Sequence, residues 1–380
     1  MPLRTLSGRH VDPRHERERV PFKGRGAAIN PEGRFEKVER EAYDDGWAHD
    51  DGEEAPALKT QVTEERAASI ISRNQSPDIP FTQSINPYQG CEHGCIYCYA
   101  RPTHAYRNLS PGVDFETRIF AKINAAELLR KELSNPGYKC EVISLGANTD
   151  PYQPAERRLA ITRGLLEVCA EFNQPVGIVT KNALIERDLD ILVPMAQRHL
   201  VNVFMSVNNL DHEIARRLEP RCVTPARRIE AIRTLAQAGV PVGVLVAPVI
   251  PFLTDDHIES VLEAAFEAGA TQAGYVVLRL PFEVKTLFRD WLERHYPLKA
   301  KHVMSRVHEL RGGRDNDPNF GSRMLGQGEF AELLSKRVAI AKRRIGYDER
   351  GRMLRNSLLD TSQFCVPESK PVAAKQLSLF

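Results

Sequence analysis

Five short, apolar, β-branched runs recur between residues 141 and 280, and amphipathic stretches separate them. The runs are EVISLGA (141–147), PVGIVT (175–180), LVNVFMSV (200–207), VPVGVLVAPVI (240–250) and QAGYVVLRL (272–280). Short runs of this kind suit strands buried on both faces. Between them lie AKINAAELLRKEL (121–133), RLAITRGLLEVCAEF (158–172), ERDLDILVPMAQRH (186–199), TPARRIEAIRTLAQAG (224–239) and TDDHIESVLEAAFEAG (254–269). These carry helical periodicity; several open on Thr or Asp, and two close on Gly. An earlier strand in FTQSINPY (81–88) completes six βα units in series. Consecutive units of this length make a parallel sheet with right-handed crossovers. The fold class is therefore α/β, and the unit count fits a partial (β/α)6 TIM-like barrel; the pattern alone also fits a doubly wound sheet.

The flanks read differently. Residues 1–75 begin arginine-rich (Arg4, Arg9, Arg14, Arg17, Arg19, Arg25) and turn acidic at EAYDDGWAHDDGEE (41–54). Apolar residues are too sparse there for a core, so a flexible charged extension is expected, able to drape over the main domain. The core spans 76–300. Residues 301–346 complete it with a glycine-rich loop region at the barrel mouth (312–330) and a basic helix (331–346) bearing Lys336, Arg337, Lys342, Arg343 and Arg344. Basic faces on helices are commonly just solvated, although phosphate contact is chemically open to this one. Residues 347–380 read as a flexible tail.

Between the first predicted strand and its helix sits INPYQGCEHGCIYCYARPTHAY (85–106), with Cys91, Cys95 and Cys98 spaced C-x3-C-x2-C and His93 inside the loop. Structural zinc takes four closed ligands, and His93 is too near Cys91 and Cys95 in sequence for all four groups to reach one ion comfortably. An iron–sulfur cubane fits better, because each thiolate holds its own iron and three thiolates leave the fourth iron open. The other cysteines, Cys140, Cys169, Cys222 and Cys365, are scattered and read as packing or incidental thiols. An odd count of seven, clustered at one place in a 380-residue chain, is not a secreted disulfide framework. The N-terminus lacks an apolar signal region, and no apolar stretch is long enough to span a bilayer, so a cytoplasmic location without membrane contact is expected.

This cysteine spacing at the head of a βα series resembles the radical S-adenosylmethionine (SAM) superfamily. The resemblance implies a 4Fe–4S cluster on Cys91, Cys95 and Cys98, with SAM chelating the open iron. It further implies reductive cleavage of SAM to a 5′-deoxyadenosyl radical, which abstracts hydrogen from a substrate, and an electron donor such as flavodoxin or ferredoxin. Within the superfamily, residues 85–345 are most similar to the spore photoproduct lyase family. The matching blocks are GCEHGCIYCYA, VTKNALIERDLDIL (179–192), SVNNLDHEIARRLEP (206–220) and RRIEAIRTLAQAGVPVGVLVAPVI (227–250). That likeness places Tyr97, Asn148, Lys181, Ser206, Asn208 and Arg228 at the cofactor and assigns Tyr99 a catalytic part in relaying hydrogen. A Lys or Arg would pair with the carboxylate of SAM, and Ser or Asn would serve its hydroxyls or adenine. One departure stands out: where that family carries its hydrogen-donating cysteine, this chain has Ala147.

The last residues, QLSLF (376–380), are similar to the peptide by which bacterial polymerases and repair proteins dock on the sliding clamp, with Gln376, Leu377, Leu379 and Phe380 as anchors. A formal net charge of +2 gives no global field for nucleic acid, so a clamp tether would supply local concentration instead. The leading expectation is a radical SAM lyase-like enzyme repairing or modifying a DNA base. A radical SAM enzyme on RNA, protein or a small molecule is the alternative, and a non-enzymatic, metal-stabilised adaptor binding clamp and DNA is a third.

Overall fold

The computed structural model describes residues 22–35, 58–348 and 359–368. Ten strands occur there: β1 (Gln61–Glu65), β2 (Ile71–Arg73), β3 (Gln83–Ile85), β4 (Tyr88–Gln89), β5 (Arg118–Lys122), β6 (Ile143–Leu145), β7 (Val176–Thr180), β8 (Val201–Ser206), β9 (Val242–Val249) and β10 (Gln272–Val277). Seven form one sheet in the order β10-β9-β8-β7-β6-β3-β2. All its pairings from β3 to β10 are parallel, and β2 joins the edge antiparallel to β3. The six expected strands are thus present, and the sheet stays open, as a partial barrel requires. Val176, Ile178, Val201, Val203, Met205, Val242, Val244 and Val246 are buried on one face, and Val179, Phe204 and Leu245 on the other are half-buried, so neither face of the central strands is open to solvent.

The connecting helices Ile161–Glu171, Leu189–Gln197, Pro225–Gln237 and Ile258–Glu267 match the predicted amphipathic stretches. The first one differs: its opening residues become β5, and the helix starts at Ala125. β5 pairs with β1 and β4 in a small second sheet that the sequence pattern did not disclose. Helices Val284–His295 and Pro297–Leu310 follow β10, and their Phe288, Trp291, Val303 and Val307 fill a second apolar cluster under the cysteine loop.

The flanking segments depart from the expected flexible extensions. Arg25 is buried, donating to the Glu116 carbonyl at 2.8 Å, the Leu58 carbonyl at 2.6 Å and Thr60 Oγ1 at 3.0 Å. Residues 61–65 and 71–73 are strands. Near the other end, Phe364 packs on Tyr138 and Phe172 with ring centroids 5.4 and 6.3 Å away. There the Asp360 amide donates to the His199 carbonyl and the Cys365 amide to the Phe172 carbonyl. The basic helix, Glu329–Ile345, spends much of its charge internally: Arg337 pairs with Glu259, Arg344 with Glu263, and Lys342 Nζ donates to the Ala273 carbonyl. The acidic run at 41–54 and the terminal QLSLF lie outside the described residues.

Candidate active site

Parallel strands deliver their following loops to one end of the sheet, and functional side chains of open α/β sheets and barrels collect there. The cysteine loop follows β3 and β4, Ala147 to Asp150 follow β6, Lys181 follows β7, Ser206 ends β8 and Asn208 lies just beyond. The structure therefore brings the expected residues to a common mouth.

The loop is held by backbone geometry and by one buried ion pair. Gly90 and Gly94 adopt φ +79° and +67°, and a Cβ on Gly94 would stand 2.7 Å from Glu116 Oε2. Arg101, fully buried, donates to the carbonyls of Cys95 (2.9 Å), Gly94 (3.1 Å), Pro111 (3.1 Å) and Gly112 (2.9 Å), and to Glu116 Oε1 at 2.5 Å. Glu116 in turn accepts from the amides of Gly26 and Ala27, both at 2.9 Å. One carboxylate thus ties the N-terminal segment, the cysteine loop and Arg101 together.

Burial, followed by the neighbouring Cys95 and Cys91, pushes the Cys98 thiol up to about 12. The Cys98 thiol therefore resists ionisation until a cation joins it, and bound metal supplies that charge. Among the described residues, no three His, Cys, Asp or Glu groups gather closely enough to share one ion. A mononuclear zinc site needs that convergence, whereas a cubane takes each thiolate on a separate iron. The donor set therefore fits a cluster.

Beside the thiols, Lys181 Nζ donates to Ser206 Oγ at 3.0 Å. Burial opposes its charge, but Cys95 and Glu219 more than offset this, so the ammonium is retained. Asn208 accepts from Asn209 at 2.8 Å, while its own Nδ2 is buried without a partner. A buried amide donor left open is costly unless a ligand completes it. Lys181, Ser206 and Asn208 therefore suit the carboxylate, hydroxyl and adenine groups of SAM. Asn148 is half-buried; its amide N–H donates to Asn86 Oδ1 at 2.8 Å.

Two expected cofactor residues share one buried carboxylate beside this group. Arg228, 1% exposed, is paired with Glu219, and Tyr97 donates to the other oxygen of the same carboxylate. Arg228 Nη1 also donates to the Ser206 carbonyl at 3.1 Å. Both side chains thereby help to hold β8 against the cysteine loop. Tyr99, by contrast, is half exposed at the mouth, and its hydroxyl donates to the Ala147 carbonyl.

Several supporting contacts escaped the sequence reading, which set Asp150 where substrate or SAM would be met. His93 Nδ1 lies 3.3 Å from Asp150 Oδ2, and Asp150 also accepts from Thr180 Oγ1 and the Lys181 amide, each at 2.7 Å. Burial alone would raise that carboxyl; His93 and these hydrogen bonds hold it down to about 2. Cys222, read as a packing thiol, places its sulfur 3.8 Å from that of Cys95. The 127 residues between them left no local signal.

Residues 85–265 match the Radical SAM superfamily. An uncharacterized protein of Mycobacterium tuberculosis is 39% identical over 277 residues, covering 72% of this chain and 77% of that protein. The chain belongs to the radical SAM superfamily. It is an enzyme of the radical SAM type, whose cofactors are a 4Fe–4S cluster and SAM. An uncharacterized protein of Methanocaldococcus jannaschii is a more distant relative of this radical SAM chain, 25% identical over 240 residues, 63% of this chain and 85% of that one. Among solved structures, a mutant of spore photoproduct lyase with bound AdoMet and dinucleoside spore photoproduct superposes with a TM-score of 0.52 at 16% identity, over 75% of this chain and 78% of that one. At that identity the likeness concerns the fold. No helix among the described residues is long and apolar enough to cross a membrane.

Proposed function

We propose that this radical SAM enzyme acts on DNA, repairing or modifying a base by hydrogen abstraction. The observation that carries the reading is Tyr99, half exposed at the mouth with its hydroxyl on the Ala147 carbonyl. That juxtaposition occurs in a fold shared with a lyase whose structure holds a dinucleoside photoproduct.

When bound, the cluster and SAM together supply a carbon-centred radical that takes hydrogen from the substrate. Cys91, Cys95 and Cys98 would hold the cluster, and Lys181, Ser206 and Asn208 would orient SAM. Ala147 offers no thiol hydrogen, and the Tyr99 hydroxyl, which donates to its carbonyl, would relay one at that position.

The test is anaerobic reconstitution and reduction of the full chain, followed by SAM and deuterium-labelled oligonucleotide. DNA is expected to accelerate 5′-deoxyadenosine formation and to pass deuterium into it. Acceleration by RNA, protein or a small molecule, with DNA inert, would move the activity to that substrate class. We also propose that Gln376, Leu377, Leu379 and Phe380 dock the enzyme on the bacterial sliding clamp. A purified clamp should be retained by the full chain and lost with Phe380→Ala; equal retention by both would refute the tether.

A further inference from the structure

Three arginines approach the mouth from the side of β10, and the guanidinium ends of two of them are taken up by protein oxygens, although Arg311 Nε, like that of Arg279, is buried without a partner. Arg311 Nη1 donates to the carbonyls of Ser322 (3.2 Å) and Arg323 (2.8 Å), and its Nη2 to those of Val277 (3.0 Å) and Leu278 (2.5 Å). Arg323 pairs with Asp78 at 2.5 Å and donates to Ser76 Oγ at 2.5 Å. Arg279, two residues beyond β10, differs. Its Nη1 finds only the thioether of Met324, at 3.6 Å, and its Nε is buried without a hydrogen-bond partner. Among the described residues no carboxylate pairs with it, because Asp78 is already engaged by Arg323.

Arg279 also stands next to the chemistry. Its guanidinium carbon lies 5.7 Å from the centroid of the Tyr99 ring. Tyr99 belongs to the loop following β3 and β4, whereas Arg279 follows the strand at the opposite edge of the sheet. The pair therefore bridges the mouth across the open side of the barrel. A guanidinium that is partly buried, always protonated and unmatched by any carboxylate is unfavourable by itself, and an oxyanion relieves it by bidentate hydrogen bonding. Burial and the nearby Arg323 both act against its charge, in the same sense.

We propose that Arg279 is the oxyanion-binding residue of the substrate site, taking a phosphate of the substrate beside Tyr99. The naming of phosphate rests on the nucleic-acid reading above; a substrate carboxylate would be held by the same fork. Arg279 thereby fixes which part of the substrate faces the Tyr99 hydroxyl.

The experiment uses the full chain, reconstituted anaerobically, and calorimetric titration with pyrophosphate, malonate and the dinucleotide TpT. SAM affinity is measured separately. Arg279→Gln is expected to weaken pyrophosphate and TpT by roughly tenfold or more, the worth of a charge-assisted hydrogen bond. SAM affinity should stay within about twofold, since Lys181 and Asn208 are unchanged. Arg279→Lys keeps the charge and loses the fork, so intermediate affinity is expected, and this variant carries the test if the Gln variant does not fold. Binding of malonate but not pyrophosphate, lost with Arg279, assigns the oxyanion as carboxylate and removes the phosphate. Pyrophosphate binding that depends on Arg279, with TpT inert on the wild type, upholds the site and refutes DNA. Equal pyrophosphate affinity in wild type and variants, or a loss confined to SAM, overturns the inference.

Discussion

Cys95→Ala is expected to abolish SAM cleavage by the anaerobically reconstituted, dithionite-reduced protein, with iron content falling in step. Cys95 is buried, its carbonyl is gripped by Arg101 at 2.9 Å, and its backbone geometry is thereby set before any cofactor binds. Removing its thiolate leaves an iron without a protein ligand, and no redundancy exists within the loop's three thiols. The loss of 5′-deoxyadenosine should exceed the ~10–100-fold that deleting an outer partner of a metal site costs. Cys222 is the natural control, because its sulfur lies only 3.8 Å from that of Cys95. If Cys95→Ala retains cluster and activity while Cys95→Ala combined with Cys222→Ala does not, Cys222 has substituted as ligand. Retention in the double variant would end the assignment of the loop as the cluster site.

Arg101→Ala should be the most destabilising single change near the site. Both Arg101 and Glu116 are fully buried, and the arginine serves four carbonyls besides the carboxylate. Breaking such a pair from one side strands the remaining charge, at about 3–5 kcal/mol. For a chain of this size that corresponds to a fall in Tm of roughly 4–6 °C. Adding Glu116→Gln should recover part of the loss, because the stranded charge is then gone. A calorimetric Tm for Arg101→Ala within a degree of wild type would show that the pair contributes nothing. Reconstituted iron per chain should fall as well, since the Cys95 and Gly94 carbonyls lose their shared donor.

The parallel core was readable because its signal is local. A run such as VGVLV is apolar nearly throughout, and that apolarity is visible without knowing what covers it. The three loop cysteines were readable for the same reason, within eight positions. What escaped is polar and long-range. Arg25 was grouped with a solvated extension, yet it is anchored by carbonyls of Leu58 and Glu116 rather than by apolar burial, and composition cannot see that kind of anchor. Arg228 was expected to face SAM; Glu219 claims it, and nothing in the spacing of the two announces a buried pair. Phe364 shows the complementary limit: one aromatic ring against Tyr138 and Phe172 suffices to dock a segment whose surroundings are polar.

That docked segment also gives the molecule a front and a back. Asp360 is pinned to His199, just before β8 begins, and Cys365 to Phe172, just before β7 begins. Strand beginnings lie at the end of the sheet away from the cysteine loop. Residues 359–368 are thus held at the rear of the enzyme. Phe364 at the rear and Tyr99 at the mouth stand at opposite ends of the strands, so the docking of this segment and the turnover of substrate do not compete for the same surface.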